Sequence, residues 1–234
     1  MFAEKRVSAT SRAELLYAVF ILTFGAIACS DRNESSTTEP GLPTQGQMTD
    51  CAVADADDPP VVESYWPPGT FAVREDIADD FVRNWYSTQL CAMGEAPLAP
   101  PNDETVRIRF LWLPSFRPAV SVRVEHMADK TNMTATELDG AGGHAAGRVS
   151  KRTSRDLSAG EWASLEETVV ATDIWNLPTK PPPSDIIGLD GSQWIFEIAT
   201  GDKYHVVDRW SAGELETLGR HMLELSELGP GEVY

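Results

Sequence analysis

Apolar and polar residues alternate through the middle of the chain with a period of two, the spacing that puts successive side chains on opposite faces of a β-strand. The alternation covers 106–112 and then 120–125, with Pro114 and Pro118 between them. This arrangement predicts an antiparallel hairpin of half-buried strands. By the same criterion we predict a third strand at 134–138, a candidate fourth at 148–153, and a second hairpin over 193–198 and 203–209 that turns at 200–202.

Three longer segments carry apolar residues at the three- and four-residue spacing of helices. The first runs from 75 to 93 and is predicted to end at Gly94. Its predicted buried stripe is Ile77, Phe81 and Trp85, widened by Val82 and Leu90. The other two helices are predicted to begin at capping boxes, Ser158-Ala159-Gly160-Glu161 and Ser211-Ala212-Gly213-Glu214. Their stripes are Trp162, Leu165 and Val169, and then Leu215, Leu218, Met222 and Leu225.

The order of these elements indicates the fold class. They follow one another as helix, hairpin, one or two strands, helix, hairpin and helix. Hairpins favour an antiparallel sheet, whereas strand–helix–strand crossovers build parallel ones. We therefore predict an α+β fold, a single domain at 65–234 in which three helices pack on an antiparallel sheet of two hairpins plus one or two strands.

A short apolar run near the amino terminus predicts export. Residues 15–27 follow a basic stretch and lead into Ala26-Ile27-Ala28-Cys29. The run is too short for a membrane span, which needs about 20 residues, and it matches the apolar region of a signal peptide. The small residues before Cys29 resemble the lipobox of bacterial lipoproteins. We therefore predict a lipoprotein signal peptide at 1–28 and a lipid on the Cys29 sulfur.

Two other interpretations of this start remain open, an ordinary signal peptide cleaved after Ala28 and a retained transmembrane anchor. Ser30 stands where the usual inner-membrane retention signal has Asp, so resemblance to that sorting rule favours the outer membrane, facing the periplasm. Residues 29–64 are rich in Ser, Thr, Pro, Gly and Asp, which predicts a disordered acidic tether.

The cysteine count predicts a disulfide, and the net charge argues against two classes of partner. With Cys29 assigned to the lipid, Cys51 and Cys91 form an even pair in an oxidising compartment, and we predict that they are bridged. Two free thiols are the alternative. A formal net charge of -17 argues against nucleic-acid binding and against electrostatic adhesion to anionic lipids, since both need basic patches. Membrane contact is expected through the lipid alone, with an envelope protein or small molecule as the unidentified partner.

A glycine-rich loop offers one candidate site. Glycines at 140, 142, 143 and 147 leave backbone amides unobstructed, as in phosphate-binding loops. The loop lacks the Lys-Ser/Thr of a P-loop and does not belong to a strand–helix–strand unit, so a plain connection between strands is the alternative. His144 is a candidate by its place in this loop. No two of the four histidines have i, i+4 spacing and no Cys-x-x-Cys occurs, so the sequence predicts neither a metal site nor a cofactor.

The second hairpin offers another candidate site. Period-two spacing puts His205 and Arg209 on one side of their strand, and we predict that Glu197 shares that sheet face. A carboxylate, an imidazole and a guanidinium suit acid–base chemistry. They equally suit an ordinary cross-strand charge network. Asp190, just before the hairpin, is the remaining candidate.

Four motifs resemble a family of uncharacterised bacterial proteins that are exported or lipid-anchored: Asp139-Gly140-Ala141-Gly142-Gly143, Trp175-x-Leu177-Pro178, Gly188-Leu189-Asp190-Gly191-x-x-Trp194-x-x-Glu197, and Tyr204-His205-x-Val207-x-Arg209-Trp210-Ser211. The resemblance covers about 71–228 and implies one intact domain. It implies no activity, cofactor or catalytic residue.

Two functional hypotheses follow. The first is a lipid-anchored cell-envelope protein that binds or interacts without catalysis, since no catalytic triad or metal set is coherent in the sequence. The alternative is a small hydrolase or carbohydrate-acting enzyme that uses Glu197, His205 and Asp190. That enzyme requires the three side chains to converge in one concave pocket.

Overall fold

The computed structural model describes residues 63–71, 78–98, 103–141, 145–181 and 190–229, together with 231 and 233. Six strands form one sheet in which all neighbours are antiparallel. They are β1 (Val106–Pro114), β2 (Val120–Met127), β3 (Lys130–Leu138), β4 (Val149–Leu157), β5 (Ser192–Thr200) and β6 (Lys203–Trp210). Their order across the sheet is β4-β3-β2-β1-β5-β6, so the two hairpins meet where β1 pairs with β5.

Three helices cover the two faces of this sheet. They are α1 (Asp79–Ala92), α2 (Ala159–Thr172) and α3 (Glu216–Ser226). Apolar side chains of α2 and α3 share a core with one face, here the α2–α3 face. Those of α1 and of residues 63–71 share a core with the other, here the α1 face. The predicted α+β domain with three helices is confirmed, and both additional strands are present.

The central strands are buried on both faces, so the prediction of half-buried strands is wrong for β1. On this strand Phe110 and Trp112 lie in the α2–α3 core, while Leu111 and Leu113 lie in the α1 core. The reason is that α1 and residues 63–71 cover a face that the sequence pattern left to solvent. Polar residues on that face of β1 and β5 are therefore buried as well.

The buried stripe of α1 is Val82, Tyr86 and Leu90: Val82 and Leu90 are buried as predicted, and Tyr86 takes the place expected for Phe81 and Trp85. Phe81 is 62% exposed and Trp85 is half-buried. Tyr86 faces the sheet, where its hydroxyl donates to Asp208 of β6 at 3.0 Å, and its ring packs edge-on against Trp66 and Phe71, with centroids 5.9 and 5.3 Å away. Gly94 has φ +67 and follows the last turn, as predicted. Ile77 lies outside the described residues.

Identical capping motifs precede two helices and only one of them forms a capping box. The Ser158 hydroxyl accepts from the Glu161 amide at 3.3 Å, and the Glu161 carboxylate accepts from the Ser158 amide at 2.8 Å. The predicted box before α3 is wrong. There the helix begins at Glu216, after a 3-10 turn at Gly213–Leu215, and no side chain caps it.

Some predictions fall on residues that the structure does not describe, including the signal peptide, most of the tether, Cys29, Cys51 and His144. Cys91 is buried in the last turn of α1, and its pairing with Cys51 stays a prediction. No helix in the described part of the chain is long and apolar enough to cross a membrane.

Candidate functional site

Glu197 belongs to a buried ion pair at the centre of the sheet. The register of β1 and β5 sets Arg109 opposite Glu197 on the α1 face, and both side chains are at most 1% exposed. The Arg109 Nε donates to Glu197 Oε2 at 2.7 Å. The Tyr204 hydroxyl donates to Glu197 Oε1, also at 2.7 Å. Both carboxylate oxygens of Glu197 are therefore engaged within the protein.

A second carboxylate completes what we call the Arg109 network: Arg109, Glu197, Tyr204, Glu95 and Arg123. Glu95 follows α1, and its Oε2 lies 3.5 Å from Arg109 Nη1 and accepts from Arg123 Nε at 2.8 Å. The Arg109 Nη1 also donates to the Ala96 carbonyl at 2.7 Å. The segment after α1 is thus fastened to β1 and β2 by charged hydrogen bonds.

The electrostatics of this network suit a structural role. Burial raises the pKa of Glu197, and Arg109 opposes that shift. Burial would lower the pKa of Arg109, but Glu197 and Glu95 outweigh it and the pKa is raised. Burial also raises the pKa of Tyr65 to about 12; its hydroxyl donates to the Glu95 carbonyl. A buried ion pair of this kind is costly to break, and it presents no atom to a substrate.

A second buried charge lies on β6, also on the α1 face. Asp208 is fully buried and pairs with the Lys180 ammonium. Its Oδ2 also accepts from the Tyr86 hydroxyl at 3.0 Å. Burial raises the pKa of Asp208, and Lys180 opposes the shift. The Asp208 amide donates to the Thr179 carbonyl at 2.7 Å, so the segment around 179 runs along the outer edge of β6.

His205 and Arg209 hold the same segment from the other face. The His205 Nε2 donates to the Leu177 carbonyl at 2.8 Å. The Arg209 Nη1 donates to the Pro178 and Thr179 carbonyls at 3.0 and 3.1 Å, and its Nε donates to Glu214 at 2.6 Å. Arg209 is only 4% exposed. Both side chains therefore hold residues 177–179 against the edge of β6.

The structure does not bring the predicted site residues together. Glu197 pairs in register with Val206, on the α1 face, whereas His205 and Arg209 alternate with Val206 and point to the opposite face. The prediction that the three share one sheet face is wrong, because the hairpin register is one residue away from the one it required. Asp190 is exposed at the residue before Gly191 and touches neither group in the described structure.

The groove that the structure shows beside α3 does not gather these candidates. An open groove of about 370 Å³ lies between α3 and the residues that follow it, with Arg220, Leu223 and Glu224 in its wall. None of Asp190, Glu197, His205 and Arg209 lines this groove. Within the described ranges, no three His, Cys, Asp or Glu side chains are grouped so as to hold a metal ion.

Periodicity and motifs do not identify most of the charged residues that the fold brings together. Arg109 alternates with apolar residues along β1, which favours a solvent-facing position, and Glu95 and Lys180 lie outside regular elements. One signal was available: Arg109 shares its strand face with Leu111 and Leu113, an apolar pair that a solvated face would not need. Such a face implies a cover and hence a buried partner for the arginine.

No protein-family model matches the chain, and no curated protein is significantly similar to it. The resemblance to exported bacterial proteins stays a prediction. Only the residues and their geometry therefore bear on the function.

Proposed function

We propose that this chain is a lipid-anchored protein of the cell envelope whose folded domain binds a partner without catalysing a reaction. One observation supports binding without catalysis. The polar groups that the sequence offered for acid–base chemistry are used inside the protein: Glu197 by Arg109 and Tyr204, His205 by a carbonyl, and Arg209 by Glu214 and two carbonyls.

The hydrolase alternative loses its geometric basis for the same reason. It needs Glu197, His205 and Asp190 around one pocket. The sheet separates the first two, and Asp190 is exposed. No described contact favours the alternative over binding.

Support for the anchor comes from the sequence before the domain. The small residues that lead to Cys29 predict lipid attachment, and the polar stretch that follows suits a spacer between the membrane and the domain. Ser30 favours the outer membrane, with the domain in the periplasm. A strongly negative chain gains no attraction from anionic lipid head groups, so the lipid supplies the membrane contact.

The anchor is tested by metabolic labelling of the full chain with a fatty-acid analogue in a bacterial host. We expect the wild-type chain to be labelled and to fractionate with the outer membrane. Cys29→Ser should lose the label and remain an uncleaved precursor. Cys51→Ser is the matched control and should keep the label. Normal processing and membrane association of Cys29→Ser would overturn the proposal.

A further inference from the structure

The two edges of the sheet differ. The edge of β6 is covered, because the Asp208 amide donates to the Thr179 carbonyl. β4 pairs with β3 on one side, and within the described residues no backbone pairs with its outer side. Six of the nine residues of β4 are exposed. An uncovered strand of this length offers a row of unpaired backbone donors and acceptors.

Opposite charges lie on one face of this open strand. The register with β3 sets Arg152 opposite Thr136 and Asp156 opposite Asn132, so both point to the α1 face, with Ser154 midway between them. All three of these β4 residues are exposed. Four residues of extended chain separate the arginine from the carboxylate by about 13 Å, so the two do not pair within one copy.

Neither charge is neutralised within the described part of the chain. The Arg152 guanidinium donates to Thr136 Oγ1 at 3.2 Å and to the Met93 carbonyl, and both acceptors are uncharged. Asp156 Oδ1 accepts from the Asn132 amide group at 3.3 Å. An additional strand along β4 would therefore find one cation and one anion on this face.

Strand geometry limits the registers in which two copies of β4 can pair. Alternate residues of a strand present their N–H and C=O groups to the same side, and opposite residues of an antiparallel pair both exchange hydrogen bonds or both do not. In a symmetric pair, opposite residues are therefore an even number of positions apart, and the two-fold axis passes beside a residue. With most of the strand overlapping, that residue lies between Arg152 and Arg155 or is one of the two.

Charge distinguishes these four registers. An axis at Arg152 or at Arg155 sets that arginine opposite its own copy, and an axis at the residue after Arg152 sets Lys151 opposite Arg155. Like charges directly opposite one another destabilise a strand pair. An axis at Ser154 instead sets Arg152 of each copy opposite Asp156 of the other. Only this register pairs opposite charges, and symmetry makes the pair twice.

We propose that two copies of this chain associate through β4, edge to edge and antiparallel, about a two-fold axis at Ser154. The six strands of each copy then form one continuous sheet. Backbone hydrogen bonds between the two edges supply the affinity, as in other cases of strand addition. The two pairs of Arg152 with Asp156 select the register. This inference goes beyond the proposed function and depends neither on it nor on the lipid.

The other cations of β4 do not oppose this arrangement. Lys151 and Arg155 lie on the α2–α3 face, where Glu137 pairs with the first at 3.0 Å and Glu161 with the second at 2.8 Å. Each is neutralised within its own copy. The overall negative charge of the chains is screened beyond about 8 Å at physiological salt, so the contacts at the edge decide the association.

The test is sedimentation equilibrium of the full chain at physiological salt, in density-matched detergent. We expect a monomer–dimer equilibrium whose dissociation constant rises by about tenfold or more in Asp156→Arg, which sets like charges opposite one another twice. Asp202→Arg, at an exposed position in the turn between β5 and β6, is the matched control and should not weaken the dimer. Both variants make an acidic chain less negative by the same amount, which by itself would strengthen association.

Two further variants test the register. Arg152→Asp/Asp156→Arg exchanges the two charges and should restore the dimer, with thermal melts confirming that the double variant is folded. Ser154→Cys should give a covalent dimer on mild oxidation, because the two cysteines face each other across the axis. Ser150→Cys is the control, since residue 150 lies opposite residue 158 of the other copy.

Three results would each overturn the proposal: a chain that stays monomeric, an unchanged dissociation constant in Asp156→Arg, and equal cross-linking from positions 150 and 154. A folded double variant that stays monomeric would reject the pairing of Arg152 with Asp156.

Discussion

At the scale of single residues, the packing of the α1 face depends on buried, paired charges. Arg109 lies between Glu197 and Glu95 and donates to the Ala96 carbonyl, so its guanidinium is paired on several sides. Burying two opposite charges contributes little net stability compared with an apolar pair, but removing one partner leaves the other uncompensated. The network therefore specifies how the segment after α1 docks on the sheet.

Replacing Glu197 should reveal this dependence. Glu197→Leu leaves the Arg109 guanidinium and the Tyr204 hydroxyl without their buried acceptor, and we expect the free energy of unfolding to fall by about 3 kcal/mol or more. Glu216→Leu is the control: Glu216 also pairs with an arginine, Arg220, but the two side chains are 54% and 45% exposed, so its loss should cost under about 1 kcal/mol. Denaturant unfolding at pH 7 measures both. Similar small losses would contradict the buried network.

A glycine on α3 gives a second prediction at this scale. A Cβ built on Gly219 would lie 2.1 Å from Cζ3 of the buried Trp194. Gly219→Ala should therefore destabilise the domain, although alanine is the better helix former by about 1 kcal/mol. Gly160→Ala on α2 is the matched control because nothing lies within 4 Å of its added Cβ. Thermal melts should show a lower Tm for the first variant only; a raised Tm for Gly219→Ala would reject the tight contact.

At the scale of elements, the identical motifs before α2 and α3 adopt different structures, so the local sequence alone does not determine the cap. In the Ser158 motif Glu161 also pairs with an arginine, since its Oε1 accepts from Arg155 of β4 while its Oε2 accepts from the Ser158 amide, and the capping box still forms. In the Ser211 motif the Glu214 carboxylate accepts from Arg209 instead, and Ser211 has φ +66, a conformation that suits glycine better. An ion pair to the glutamate does not by itself prevent the box, because Glu161 makes both; what distinguishes the second motif is the backbone of its serine, with φ +66 at Ser211 against -67 at Ser158.

The start of α2 should be sensitive to acid. The Arg155 guanidinium and the hydrogen bonds from Ser158 lower the pKa of Glu161 from 4.5 to about 2. A pKa lowered by folding contributes stability that is fully present above the unfolded value and is lost as the pH falls through the folded value. Between pH 4.5 and 2, the wild type should therefore lose stability more steeply than Glu161→Gln.

Urea unfolding at several pH values across this window checks the prediction. Glu166→Gln is the control, since Glu166 is exposed on the same helix, and it should keep the wild-type slope. The prediction fails if Glu161→Gln shows that slope too.

At the scale of the whole molecule, periodicity predicts the three helices, five strands and a candidate sixth, and which strands form each hairpin, but not the register of the second hairpin. Periodicity does not predict that the α1 face of the sheet is buried. That face is covered by α1 and by residues 63–71, and the latter segment contains no helix or strand. The error over Glu197 and His205 has the same physical origin. Once both faces of a strand are buried, alternation no longer tells solvent from core, and the register decides which side chains meet.

The docking of residues 63–71 has a mechanical consequence. Tyr65 and Trp66 are buried within three residues of the first one that the structure describes, and Trp66 contacts Phe71 and Tyr86 edge-on. A force applied at residue 63 thus acts directly on the aromatic cluster. Pulling there would load these rings before the rest of the α1 face, so residue 63 yields only as that face begins to open.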